Sequence, residues 1–143
     1  MKRKFKIGYT AGVYDLFHIG HLNILKKAKE HCDFLIVAVS TDELVQKYKN
    51  KVPVIPFEER VAIVEAIKYV DQVVAQNHRD KMLAHDIYHF DAMFVGDDWR
   101  GSDFWMKIEK ELNSKGSEVI YFAYTKEVSS TLLKEVLNKI KNS

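Results

Sequence analysis

The sequence predicts an α/β domain built on a parallel five-stranded sheet with helices on both faces. Strand-like and helix-like stretches alternate along the chain, which is the pattern of right-handed β-α-β crossovers. The run Phe34-Leu35-Ile36-Val37-Ala38-Val39 is continuously apolar, as in a parallel strand covered on both sides. Polar segments follow the first, second, fourth and fifth strand candidates, so they gather on the carboxyl edge, where open α/β sheets bind ligands.

The chain of 143 residues is read as a single domain, 1–143, and 47% apolar residues are enough for a real core. The net charge is +2 with acids and bases mixed, so no basic stripe points to nucleic acid. Cys32 stands alone, which excludes an internal disulfide and fits a reducing, cytoplasmic setting; it reads as a buried structural thiol. The basic start, MKRKFKIGYTAG, lacks the apolar core of a signal peptide, and no run of about 18 apolar residues predicts a membrane span.

The elements follow in order. Phe5 to Thr10 is the first strand, and His18 to His31 the first helix, with Leu22, Leu25 and Ala28 at helical steps. The strand 34–39 ends in Ser40, Thr41 and Asp42, good capping residues for a short helical turn through Leu44 and Val45. The lysines of QKYKNKVP are then expected in a loop. Pro56 opens a helix with an apolar stripe of Ala62, Ile63, Ala66, Ile67 and Val70. Val70 to Ala75 is the third strand. Asp80 to His89 is a helix with Met82, Leu83 and Ile87 inward. Phe90 to Val95 is the fourth strand, and a helix from about Phe104 to Ser114 is capped by Ser102 or Asp103 and stopped by Gly116. Val119 to Ala123 is the fifth strand. Ser129, Ser130 and Thr131 start a last helix through Ile140.

The segment Ile7 to Leu25 carries the chemistry. The first strand, a loop with Gly12, and a helix beginning at His18 form a ready phosphate site, because a helix N-terminus offers unpaired N–H groups and a positive dipole end. Gly12 is expected to supply an unusual backbone angle, and Gly20 lets a phosphate approach. His18 and His21 lie three apart on one helix face. They can donate to phosphate oxygens as charge grows. H-x-x-H also occurs by chance or as part of a metal site, but no partner cluster suggests structural zinc.

Three further segments belong to the same edge. Lys47, Lys49 and Lys51 can reach an anion or merely face water. Arg60 sits in a first turn, where a cation opposes the dipole unless it has an anionic partner. In Gly96-Asp97-Asp98-Trp99-Arg100-Gly101, a Trp can stack on a base and an Asp can bind a hydroxyl, amine or metal; a capped turn with a packing Trp is the plainer alternative.

Gly12 to His21, GVYDLFHIGH, resembles the HxGH signature of the nucleotidyltransferase superfamily, and within it the glycerol-3-phosphate cytidylyltransferase-like group. The resemblance continues through VAVSTDE at 37–43, E-x-R at 58–60, YVD-x-VV at 69–74, GDDW at 96–99 and SST at 129–131. HIGH also occurs in class I aminoacyl-tRNA synthetases, but no KMSKS-like loop is present and a chain this short is not expected to hold their anticodon-binding parts.

The resemblance implies a Rossmann-like fold and nucleotidyl transfer, with His18 and His21 stabilising the triphosphate and Lys49 and Arg60 as further catalytic residues. It implies nucleotide or substrate contacts by Thr10, Ala11, Gly12, Val13, Asp15, Gly20, Lys47, Gly96, Asp98 and Trp99. The same holds for Tyr124, Thr125, Ser129, Ser130 and Thr131. Asp15 is the implied metal support, for Mg²⁺ or another divalent cation. The family's final signature, R-T-x-G-[IV]-S-[ST]-[ST], is altered: Tyr124 replaces its arginine and Glu127 its glycine, with Lys126 an imperfect substitute for the lost charge. Val13 replaces the threonine of G-T-F-D. The implied partners are CTP and a small phosphorylated alcohol, glycerol 3-phosphate first, in a cytoplasmic homodimer serving cell-wall or lipid precursor synthesis. Phosphocholine, phosphoethanolamine, another polyol phosphate, or ATP with FMN are alternative substrates. A nucleotide-binding module without turnover is the rival reading.

Overall fold

The computed structural model describes residues 4–96, 101–123 and 130–142. Five strands form one sheet: β1 (Phe5–Gly12), β2 (Cys32–Ser40), β3 (Gln72–Gln76), β4 (Ala92–Gly96) and β5 (Glu118–Phe122). Their order is β3-β2-β1-β4-β5, and every pairing is parallel. The chain winds outward from β1 to β3, then crosses to the other side for β4 and β5. The order therefore reverses between β1 and β4, the kind of switch point at which α/β sheets bind ligands.

From Leu35 onward the apolar run of β2 is buried, with Phe34 exposed, and its alternate residues serve two cores. Leu35, Val37 and Val39 join Leu25 and Ala28 of α1 (Ile19–Glu30) and Val64 of α3 (Phe57–Glu65). Ile36 and Ala38 join Ala84 of α4 (Lys81–Tyr88) with Trp105 and Leu112 of α5 (Asp103–Ser114). The period of two thus divides one strand between two faces. At Gly8 there is no room for a side chain: a Cβ would stand 2.5 Å from the Phe94 ring and 2.7 Å from Cys32 Sγ. Cys32 itself is buried, its Sγ against Ala28 O at 3.4 Å.

Three details differ from expectation. The stretch after β2 is a full helix, α2 (Asp42–Lys49), capped by Thr41 Oγ1 and stopped by Asn50 at φ 54°. Lys47 and Lys49 therefore occupy its last turn, where cations suit the dipole, rather than a loop. In α3 the inward face is Phe57, Arg60, Val61 and Val64, while Ala62, Ile63 and Ala66 are exposed. The Arg60 guanidinium is claimed by the loops above the sheet, and that sets the rotation of the helix. In α4 Lys81 and Ala84 are buried, whereas Leu83 and Ile87 are exposed. Its first residue turns toward the carboxyl edge, so the helix packs on Lys81, Ala84 and Tyr88 at helical spacing.

The last helix, α6 (Ser130–Asn142), begins with the hydroxyl residues expected to start it. No helix among the described residues is long and apolar enough to cross a membrane.

Candidate active site

The ladder between β1 and β4 covers only Gly8 with Ala92 and Tyr9 with Met93. One step on, Thr10 donates its hydroxyl to Phe94 O at 2.8 Å and ties the two strands side chain to backbone. Above this point opens a cavity of about 870 Å³, lined at its base by Thr10, Ala11, Gly12 and Val13 and on the β4 side by Gly96.

The loop after β1 is more strained than its glycine suggested. Gly12 does not take a left-handed angle; Tyr14 at φ 56° and Leu16 at φ 51° do. Such angles cost non-glycine residues about 1–3 kcal/mol and persist where packing holds them. Tyr14 is buried and meets the rings of Phe17 and His21 at 6.3 and 5.4 Å. Gly12 is needed for space instead, since a Cβ there would lie 3.0 Å from the Tyr14 ring.

His18 is the N-cap of α1. Its Nδ1 accepts from the Gly20 N–H at 3.0 Å, while the His18 N–H donates to His21 Nδ1 at 3.2 Å. This is a capping box made of two imidazoles in place of the usual Ser/Thr and Glu/Gln. Because both Nδ1 atoms accept, each ring keeps its proton on Nε2. The rings lie 4.1 Å apart and both line the cavity. Burial lowers the pKa of His18. Burial, with the neighbouring His18, lowers His21 to about 4 against a smaller opposite pull from Asp15. At neutral pH the site therefore presents two neutral imidazoles able to donate hydrogen bonds.

Asp15 is 2% exposed. Its Oδ2 accepts from the Val54 N–H at 2.8 Å and its Oδ1 from the Ile55 N–H at 2.9 Å, and Lys134 of α6 pairs with Oδ2 at 2.8 Å. Burial alone would raise its pKa, but Lys134 and the two backbone donors outweigh that and hold it below the usual carboxylate value. Through these bonds Asp15 anchors two loops and a helix. Among the described residues no three His, Cys, Asp or Glu side chains converge on a metal position.

Arg60 also differs from expectation. It is 1% exposed and does not line the cavity. Its Nε donates to Ile55 O, one terminal nitrogen to both Val13 O and Ser40 O, and the other to Asp42 Oδ1, at 2.6–2.8 Å. Asp42 Oδ2 also accepts from the Phe57 N–H at 3.2 Å, so it caps α3 and neutralises the arginine. The cation opposing the dipole has its anionic partner inside the protein. Arg60 therefore positions the loops after β1 and β2.

Lys49 lines the cavity and Lys47 is exposed away from it. Gly20 lines it beside His18. Asp98, Trp99, Tyr124, Thr125 and Ser129, with the rest of the 97–100 and 124–129 segments, lie outside the described residues. Ser130 and Thr131 stand in the first turn of α6.

The cavity also gathers residues that the sequence reading passed over: Tyr48, Arg79, Lys81, Phe104 and Lys134. The signal for Arg79 and Lys81 was available, because they follow β3 as the other polar segments follow their strands. No local pattern marks Lys134. In all, Lys49, Lys51, Arg79, Lys81 and Lys134 face one carboxylate, Asp15, among the described lining residues. Such a chamber suits polyanions.

Residues 9–136 match the cytidylyltransferase-like family. The chain belongs to that family. It is a nucleotidyltransferase, and the two donor imidazoles and the cationic cavity are the parts such a reaction requires. The chain is 37% identical over 128 residues to the glycerol-3-phosphate cytidylyltransferase of Bacillus subtilis (strain 168), covering 88% of this chain and 92% of that one. It is 51% identical to the FAD synthase of Pyrococcus abyssi, but over 65 residues, 46% of this chain and 44% of the other. Among solved structures, the lipopolysaccharide core biosynthesis protein from Thermoplasma volcanium GSS1 superposes with a TM-score of 0.70 at 24% identity. That superposition covers 87% of this chain and 99% of the other, and it bears on the fold alone.

Proposed function

We propose that this nucleotidyltransferase transfers CMP from CTP to glycerol 3-phosphate, giving CDP-glycerol and pyrophosphate. The observation that carries the reading is the pair of neutral imidazoles at the N-terminus of α1, set in a cavity with a large excess of cations. Similarity to a glycerol-3-phosphate cytidylyltransferase over nearly all of both chains supports the choice of substrates.

A phosphate oxygen of the acceptor attacks the α-phosphorus of CTP. As that bond forms, the bond to the bridging oxygen breaks and its electron pair leaves with pyrophosphate. Little covalent work is asked of the protein, which must align two polyanions and stabilise the charge growing on the leaving phosphates. The Nε2–H groups of His18 and His21 donate to those oxygens, and Lys49 adds positive charge from the end of α2. A divalent cation such as Mg²⁺, arriving with CTP, would supply further charge neutralisation on the triphosphate. A cytoplasmic homodimer feeding cell-wall or lipid precursors completes the proposal.

The test is pyrophosphate release with CTP and ATP, each crossed with glycerol 3-phosphate, phosphocholine, phosphoethanolamine and FMN. CTP with glycerol 3-phosphate is expected to give the dominant rate. A dominant rate with ATP and FMN would replace this assignment with the adenylyl transfer suggested by the half-length similarity to an FAD synthase. Tight CTP binding with no pyrophosphate from any pair would instead favour a binding module.

A further inference from the structure

We propose that Tyr14 is a positioning residue for the transfer: its ring, with that of Phe17 beside it, fixes the plane of the His21 imidazole and so sets the direction of the Nε2–H donor. This rests on the reaction proposed above and adds a residue to the machinery of its imidazole pair.

The hydrogen bonds of the pair leave this task open. His21 is held at Nδ1 by one bond, from the His18 N–H at 3.2 Å. One bond fixes one point of the ring, and the second torsion of a histidine side chain is broad. Contact with other rings fixes the plane. Tyr14 meets His21 at a centroid distance of 5.4 Å and a tilt of 60°, and Phe17 meets it at 5.2 Å and 36°. His18 lies at 4.1 Å and 31°. Tyr14 and Phe17 are in turn 6.3 Å apart, so they form one continuous wall. An imidazole packed this closely has little room to rotate. With Nδ1 pinned and the plane set, the direction of Nε2–H follows.

The wall is itself braced. Tyr14 is buried in the core that holds Leu25 and Ala28, and Phe17 packs against the same core. Tyr14 also lies against the Gly12 backbone, where a Cβ would stand 3.0 Å from its Cε2 and 3.2 Å from its Cζ. The left-handed angles at Tyr14 and Leu16 flank Asp15, whose carboxylate is tied to Val54, Ile55 and Lys134. Strain of this kind persists only where the surroundings hold it, and it gathers where geometry matters. The same wall keeps water from His21. Burial is the chief reason that its pKa falls to about 4, with His18 adding to the fall and Asp15 opposing it.

Donors to a growing charge act through being set in advance, and a misplacement of about 1 Å can cost on the order of 10²-fold in rate. Tyr14→Leu tests the proposal, since Leu16 shows that leucine is accepted at this backbone angle in the same loop. With CTP and glycerol 3-phosphate, kcat is expected to fall at least tenfold with both KM values within about twofold. Tyr14→Phe keeps the ring and should recover most of the loss. Imidazole ¹⁵N spectra at neutral pH give a readout that lost packing alone does not move. His21 is expected as a single Nε2–H tautomer in the wild type and as an average of both tautomers in Tyr14→Leu. An unchanged kcat, a loss confined to KM, an unchanged tautomer, or equal losses in Tyr14→Phe and Tyr14→Leu overturns the proposal. If the wild type proves inactive with every acceptor, the function proposal fails separately and the ¹⁵N spectra still decide this one. Should Tyr14→Leu not fold, Phe17→Leu, on the half-buried side of the wall, takes its place with the same expected and overturning results.

Discussion

His18 and His21 hold each other. The backbone N–H of His18 reaches Nδ1 of His21 at 3.2 Å, and the Nδ1 of His18 takes the Gly20 N–H at 3.0 Å. One atom of each ring is therefore structural, and the other is left for chemistry. Asparagine separates the two roles, since its side-chain oxygen can replace Nδ1 as a cap while nothing replaces Nε2–H. His18→Asn should lower kcat by about 2–4 kcal/mol of barrier, the scale of one lost oxyanion donor, with Tm nearly unchanged. His18→Ala should lose the same activity and also about 1 kcal/mol of stability with the cap, roughly 4 °C in Tm. Thermal melts and turnover of both variants check this, and wild-type turnover in a folded His18→Asn would refute the role of Nε2.

Burial of the same two rings makes stability depend on pH. The folded pKa of His21 is about 4, below the unfolded value near 6.5, and His18 is lowered too, each chiefly by burial. The unfolded chain thus takes up protons first as pH falls. The histidine contribution is complete above about pH 6.5 and declines as pH drops toward 4, by on the order of 2 kcal/mol for His21. Asp15, held low by Lys134 and backbone donors despite its burial, loses its contribution in a lower window, below about pH 4. Chemical denaturation from pH 7.5 to 4.5 should show the histidine loss. Substituting His21→Asn should flatten the curve over that range.

Much of this architecture was legible because it depends on repeating local rules. The apolar run at 34–39 announced a two-faced parallel strand, and β2 has the two-sided burial that it implies. The imidazole pair was legible because both residues sit within one helical turn. Arg60 was legible as a conflict, a cation in a first turn, but not in its resolution. Its partners Val13, Ser40 and Asp42 are 47, 20 and 18 residues away, and only the fold brings them together. Lys134 is more distant still from Asp15, and no periodicity encodes that pairing. The inward faces of α3 and α4 were misread because a buried Arg60 and a buried Lys81 turn those helices, and apolar spacing alone gives such residues no inward weight.

Arg60 carries a prediction that separates positioning from catalysis. Its guanidinium satisfies three carbonyls and Asp42 beneath the cavity floor. Removing one member of a buried, hydrogen-bonded ion pair costs about 3–5 kcal/mol. Arg60→Met should therefore lower stability by about 3 kcal/mol, and Arg60→Lys should restore little, because an ammonium cannot match a planar fork with four acceptors. Activity measured well below the variant's Tm should fall through higher KM for both substrates as the loops loosen. A variant that keeps wild-type stability and loses only kcat would show that Arg60 instead acts on the reacting phosphates.

Asp15 and Lys134 yield the last prediction. The carboxylate is fastened to Val54, Ile55 and Lys134. A residue so committed should give the free protein no metal-dependent stability. A site on the apoprotein occupied at 100 times its Kd would add about 2.7 kcal/mol, several degrees in Tm. Without nucleotide, Tm should therefore be the same in EDTA and in 10 mM Mg²⁺. With CTP present, Mg²⁺ should raise Tm, because the ion arrives on the triphosphate. Asp15→Asn should lower stability in both buffers alike, since what it loses is the Lys134 pair and not an ion. A Mg²⁺-dependent rise in the free wild type that disappears in Asp15→Asn would restore Asp15 as a metal ligand and require the loop around it to rearrange.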